Sequence, residues 1–289
     1  MSARAYVLFA AVLFGTTGTA QALGPADSSP LTVGATRIVI GGAILGLLAF
    51  ATPQSRCRLS PLLVLSAGVA VAAYQLAFFE AVHLTGVALG AVVAIGSGPI
   101  FAGLLERGFG GNWPDRRWAA ATALAVIGVG AISLGSYGQT GTSVPGLVLA
   151  LASGAAYAAY TVIAKRLLRD GAAPVHVMGA AFGTAAVLLL PVLLVGNTGW
   201  LRSGRGIELA AYLAIGPTVI AYLLFARGLR RLSASETTTI VLAEPVTATV
   251  LGVLVVHEQL GAAAAGGIVL VIAGISVLAL PRSRRLVNP

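Results

Sequence analysis

The 289-residue chain is 57% hydrophobic and only 9% charged, with a mean hydropathy of +0.94 and a formal net charge of +9. A water-soluble domain needs a far more charged surface, so this composition excludes one. A single cysteine, Cys57, excludes an internal disulfide framework and paired-cysteine metal or redox sites.

Ten apolar stretches follow in chain order, over 5–23, 31–51, 60–82, 85–105, 117–135, 145–167, 174–195, 207–227, 233–256 and 260–280. Each approaches the ~20 residues that span a bilayer as a helix. Helices are required because a lipid-facing backbone must satisfy its own hydrogen bonds, and these stretches lack the alternation of barrel strands. The expected fold is an all-α polytopic membrane protein with ten transmembrane helices. In the first stretch Arg4, an apolar run and Ala20-Gln21-Ala22 resemble a cleavable signal. A counterpart in the second half argues for a retained helix.

The basic residues orient the chain. With a cytoplasmic N-terminus, the inner side holds Arg4, Arg56, Arg58, Arg107, Arg116, Arg117, Lys165, Arg166, Arg169, Arg227, Arg230, Arg231, Arg282, Arg284 and Arg285. The outer loops hold Arg202 and Arg205, and Arg37 lies within the second stretch. This positive-inside bias predicts a cytoplasmic membrane protein with both termini in the cytoplasm. The pI of 10.6 then reflects attraction to the anionic inner leaflet, with no nucleic acid needed to explain it.

The second half repeats the first. Ala73-Tyr74-Gln75-Leu76 aligns on Ala221-Tyr222-Leu223-Leu224, and Leu84 on Leu232, at an offset of 148. Gly96-Ser97-Gly98-Pro99 corresponds to Leu242-Ala243-Glu244-Pro245, Val126-Ile127-Gly128 to Val271-Ile272-Ala273, and Phe14-Gly15 to Tyr157-Ala158. The expected halves are 1–138 and 139–289. Five helices per half is odd, so the second copy inserts upside down, and two inverted five-helix repeats follow. Such repeats recur in secondary transporters, with the substrate site near the midplane at the repeat interface. The paired prolines Pro99 and Pro245 point to that site, because each frees the carbonyl four residues earlier, Ile95 or Val241. A packing kink satisfied by a neighbouring helix is the alternative.

Glu244 lies near the middle of its stretch, where a carboxylate costs on the order of 2.5–3.5 kcal/mol. It suits proton coupling or the anchoring of a substrate ammonium. The structural alternative is a group that caps the carbonyls freed by Pro245 or pairs with Arg37. Thr237 and Thr247 share its helical face. Arg37 suits a substrate carboxylate, or else serves as an anchor within reach of the outer interface. Gln75 among Tyr74, Phe78 and Phe79 reads as a cavity wall or as core. Tyr157 and Tyr160, with Thr16, Thr17 and Thr19, carry the same two readings, since membrane hydroxyls often bond a carbonyl one turn back. Glu80 and His83 near the outer end of the third stretch, and His257 and Glu258 near that of the ninth, read as solvated groups or as a pH-sensing gate. Gly42-x-x-x-Gly46, Gly86-x-x-x-Gly90 and Gly179-x-x-x-Gly183 permit close helix contact.

Ten helices in two halves, a basic connection after the fourth, and Ala243-Glu244-Pro245-Val246 in the ninth resemble EamA-type transporters of the drug/metabolite transporter superfamily. His257-Glu258-Gln259-Leu260 resembles the family's Glu-x-Leu turn, whereas Leu104-Leu105-Glu106-Arg107-Gly108 in the first half departs from it. The resemblance, over roughly residues 5–281, implies alternating-access export of small metabolites, often amino acids, coupled to a proton or substrate gradient. The partners it implies are a small-molecule substrate and the bilayer, with the chain a monomer or homodimer and no cofactor or metal. A multidrug or lipid-linked flippase of the same superfamily is the alternative within transport. An intramembrane enzyme is not expected: Gly261 stands where a zinc protease needs its second histidine, and acidic residues are nowhere clustered.

Overall fold

A computed structural model of the chain describes residues 1–53, 58–109, 113–134, 143–257 and 259–280. Arg56, Cys57, Glu258, Arg282, Arg284 and Arg285 lie outside the described residues. The helices are α1 (Ala3–Ala22), α2 (Pro30–Ala51), α3 (Pro61–Thr85), α4 (Val87–Gly108) and α5 (Arg116–Leu134). They continue with α6 (Val144–Arg169), α7 (Pro174–Val195), α8 (Gly204–Leu229), α9 (Ala234–Val255) and α10 (Ala262–Ala279). Among the described residues there is no strand, and 9 helices are long and apolar enough to cross a membrane. The remaining helix, α5, opens on Arg116 and Arg117, which dilute its apolar run.

Local chemistry starts these helices where the polar punctuation falls. Ser2, Ser29, Ser143, Ser203 and Ser233 each accept a backbone N–H of the first turn, and Pro30 and Pro174 occupy early positions where no N–H is needed. α3 passes to α4 through Gly86 alone, whose φ of +82° lets the chain reverse without a loop. His257 takes φ +62° just beyond α9.

Two helices are irregular. α8 contains a π-turn over Ile215–Ile220, and α9 breaks at Leu242 and Ala243 into Ala234–Val241 and Glu244–Val255. At the break Leu242 and Ala243 donate to Thr239 and Ile240, three residues back, so the chain tightens before Pro245 and needs no N–H there. Pro99 instead lies inside a continuous α4, where the Ser97 hydroxyl donates to the Ala94 carbonyl at 3.2 Å. The corresponding prolines therefore act differently.

Lipid gives helices no hydrophobic reason to associate, so close backbone approach and buried polar bonds hold the bundle. α2 packs along α7, where a Cβ on Gly42 would lie 2.3 Å from the Phe182 carbonyl oxygen and one on Gly179 2.5 Å from that of Leu45. α5 packs along α10 through Gly128 and Gly267, each against the other's carbonyl oxygen at 2.6 and 2.5 Å. α3 rests on α6 as α8 rests on α1, and α4 on α6 as α9 on α1. Thr122 on α5 and Thr239 on α9 join by a buried hydroxyl bond of 2.9 Å. Tyr160, Phe182, Tyr222 and Phe225 form the aromatic centre, while Phe50, 92% exposed, and Leu194 face outward.

Candidate functional site

Near the middle of the bundle lies a cavity of about 30 Å³, room for a single water. Its lining comes from Phe14 on α1, Arg37 on α2, Tyr74 on α3, Ala94 and Ile95 on α4, Tyr157 on α6, Tyr222 on α8, and Val241 and Glu244 on α9. The prolines of α4 and α9 account for two of these: Ile95 and Val241 are the residues whose carbonyls Pro99 and Pro245 free, and each borders the cavity. The break in α9 makes Glu244 the first residue of its second half. There it faces the cavity instead of continuing the stripe of Thr237.

Arg37 reaches α3, its Nη2 donating to Gln75 Oε1 at 3.2 Å. Its Nε, Gln75 Nε2 and the Tyr157 hydroxyl are buried without a hydrogen-bond partner among the described residues. No ion pair within 4.0 Å joins Arg37 to Glu244 among the described residues. A cation and a carboxyl group thus border one cavity unpaired, beside two further polar atoms in want of partners. Buried polar groups in this condition mark a place where a ligand or ordered water completes the bonding.

A larger vestibule, about 720 Å³, opens between the helix ends that carry most of the basic residues, and is lined by Arg4, Glu106, Trp113, Lys165, Arg169 and Glu236 among others. Several of its charges are already committed. Arg4 pairs with Glu236 at 2.8 Å. Glu106 accepts from the backbone N–H groups of Ala234 and Ser235. Lys165 Nζ donates to the carbonyls of Leu229 and Arg230 at 2.9 and 3.2 Å. Size favours the vestibule as an entrance, whereas the uncommitted polar atoms favour the central cavity as the binding site.

Of the residues expected from sequence, Glu244, Arg37, Tyr74 and Tyr157 converge on the cavity wall. Gln75, 2% exposed, stands behind Arg37 as its hydrogen-bond partner. Pro99 and Pro245 adjoin the wall without forming it. Phe78 packs between Tyr74 and Phe79, edge-on to the latter, and Tyr160 donates to the Met178 sulfur in the aromatic centre; neither lines the cavity. Thr237 is buried and bonds the Ser233 carbonyl one turn back at 2.7 Å. The Thr17 hydroxyl is buried without a partner among the described residues, away from the lining. Thr16 receives the Tyr212 hydroxyl at 2.8 Å. Phe14, Ala94 and Tyr222 also line the cavity, beyond the residues expected from sequence. Phe14 and Tyr222 carried a usable signal, since the sequence similarity between the halves aligns them with Tyr157 and Tyr74.

A helical membrane bundle with a small, mostly apolar cavity between seven of its helices, bordered by one arginine and one glutamate, has the architecture of a solute transporter. The profile of the EamA-like transporter family matches residues 1–134 and 144–280, and the chain belongs to that family. It is thereby a transporter of the drug/metabolite transporter superfamily and not an enzyme. The chain is 38% identical over 283 residues to the Bacillus subtilis (strain 168) protein named "Uncharacterized transporter YwfM", covering 97% of this chain and 95% of that one. A solved crystal structure described only as that of a protein shares the fold, with a TM-score of 0.83 at 24% identity over 99% of each chain.

Proposed function

We propose that this chain is a secondary active exporter of small zwitterionic metabolites, amino acids or similar compounds, coupled to protons through Glu244. Arg37 receives the substrate carboxylate, and Glu244 takes the substrate ammonium or a proton in turn, once the cavity, here about 30 Å³, widens to admit a metabolite. The observation that carries this reading is the presence of both groups, unpaired, on the wall of one cavity. Exchange of proton for substrate on a single carboxylate is the least machinery that couples the two fluxes.

Alternating access would come from two inverted five-helix repeats, residues 1–138 and 139–289, with α5 as the tenth span beside α10 and both termini in the cytoplasm. Three repeat pairs support this reading, because Phe14 and Tyr157, Tyr74 and Tyr222, and Ile95 and Val241 all border the same cavity. The charged groups do not repeat: Gly98 stands where the second half has Glu244. The shared wall is thus apolar and aromatic, and the ionic chemistry belongs to one copy each.

The test is uptake of a labelled amino-acid panel into inside-out vesicles of the cytoplasmic membrane, with and without an acid-inside gradient. Gradient-driven accumulation of one or a few compounds is expected, and Glu244→Gln should abolish it while leaving substrate exchange. Accumulation that survives Glu244→Gln, or accumulation and exchange lost alike with a lowered melting temperature, overturns the coupling role. No amino acid accumulated by the wild type overturns the substrate class and turns attention to drugs and lipid-linked compounds.

A further inference from the structure

Helix α8 is interrupted at mid-length by the π-turn Ile215-Gly216-Pro217-Thr218-Val219-Ile220. Pro217 has no N–H to return to the Leu213 carbonyl four residues earlier. The Thr218 hydroxyl serves that carbonyl instead, donating at 2.8 Å from a side chain that is 0% exposed. Relative to an uninterrupted α-helix, one added residue rotates everything beyond it by about 100°. Tyr222 lies one turn beyond, on the face that Thr218 shares. Its ring borders the central cavity, with Phe182 at 4.1 Å and Phe14 at 4.9 Å between centroids.

The same threonine seats α8 on α2. A Cβ on Gly41 would meet Thr218 Cγ2 at 2.5 Å, so the two helices touch there with no room for a side chain. Gly41 is one turn from Arg37 on the same helical face. The first half has no such device: Val69 and Ala70 of α3 occupy the positions of Pro217 and Thr218 at the offset of 148, and α3 runs unbroken to Tyr74.

We propose that Thr218 is a positioning residue of the transport site, holding the π-turn of α8 so that Tyr222 faces the cavity and seating α8 one turn from Arg37. This rests on the reading of the central cavity as the substrate site, and the two ideas fail separately in one experiment. Full-length protein labelled with 3-fluorotyrosine gives a fluorine resonance for Tyr222, assigned by its loss in Tyr222→Phe. In Thr218→Val that resonance should move while that of Tyr74 stays, and Thr218→Ser should restore it. Pro217→Ala, which returns an N–H to the Leu213 carbonyl and lets the turn close as α-helix, should move it as well. For the amino acid that the wild type accumulates, apparent KM should rise about tenfold in Thr218→Val, the scale of one aromatic contact, with the maximal rate kept. A Tyr222 resonance left in place in either variant overturns the proposal. A resonance that moves in both while KM holds for every amino acid leaves the positioning intact and removes the cavity from the transport path.

Discussion

The start of α9 can be dissected donor by donor, and the accounting makes Glu106 the residue to change. Ala234 and Ser235 donate their N–H groups to the Glu106 carboxylate at 2.6 and 3.0 Å. The N–H of Glu236 goes to the Ser233 hydroxyl at 3.0 Å, and that of Thr237 to the Ser233 carbonyl. The first turn is therefore satisfied jointly by its own N-cap and by a side chain from the last turn of α4. Hydrogen bonds to a charged acceptor contribute about 1.5–3 kcal/mol each, and negative charge at a helix N-terminus adds a few tenths. Partial exposure of Glu106 lets water replace some of this. Glu106→Ala should then cost about 2–3 kcal/mol, and Glu106→Gln, which keeps one acceptor oxygen, about 1 kcal/mol. At roughly 2 °C per kcal/mol for a chain of this size, the melting temperature should fall by about 4–6 °C for alanine and 2 °C for glutamine. The assay is thermal unfolding in detergent at constant pH. Equal losses for alanine and glutamine, or none for either, would refute the acceptor-by-acceptor reasoning.

Four further outcomes follow from the packing. Trp200 is 1% exposed among Val33, Leu209 and Leu213, and its indole donates to Thr32 at 3.0 Å. Trp200→Ala should cost about 3–5 kcal/mol, and Trp200→Phe about 1 kcal/mol, read as midpoints of denaturant unfolding. Gly128→Val should part α5 from α10, because its Cβ would fall 2.6 Å from the Gly267 carbonyl oxygen, whereas Gly130→Ala, with nothing within 4 Å, should raise the melting temperature by about 1–2 °C through the helix preference of alanine.

The apolar stretches were legible because lipid allows one regular structure with no external hydrogen bonds, so composition alone predicts helices. Their ends were readable to a few residues: 31–51 became Pro30–Ala51, 174–195 became Pro174–Val195, and 60–82 ran on to Thr85. Glu244 and Arg37 stood out because a charge at membrane depth is costly and rare. The separate fates of Pro99 and Pro245 were not legible. Both remove one N–H, yet α4 runs on through Pro99 while α9 breaks before Pro245, where Leu242 and Ala243 bond three residues back. The glycine patterns were only partly readable. Gly42 and Gly179 do join α2 to α7, but Gly86 turns the chain instead.

Sequence by itself determined the membrane class, the helical content, the recurrence of motifs between the halves and the two charged residues to watch. These follow from one-dimensional properties: hydropathy over a bilayer's width, charge between stretches, and self-similarity. Only the tertiary structure decided which aromatic rings meet. Phe14 and Tyr222 join the cavity wall while Tyr160 and Phe78 stay behind it. It also decided that Arg37 turns to Gln75 and leaves Glu244 unpaired. The physical reason is that the direction of a side chain depends on helix rotation. That rotation is set by the π-turn in α8, the break in α9 and the glycine contacts between helices remote in sequence.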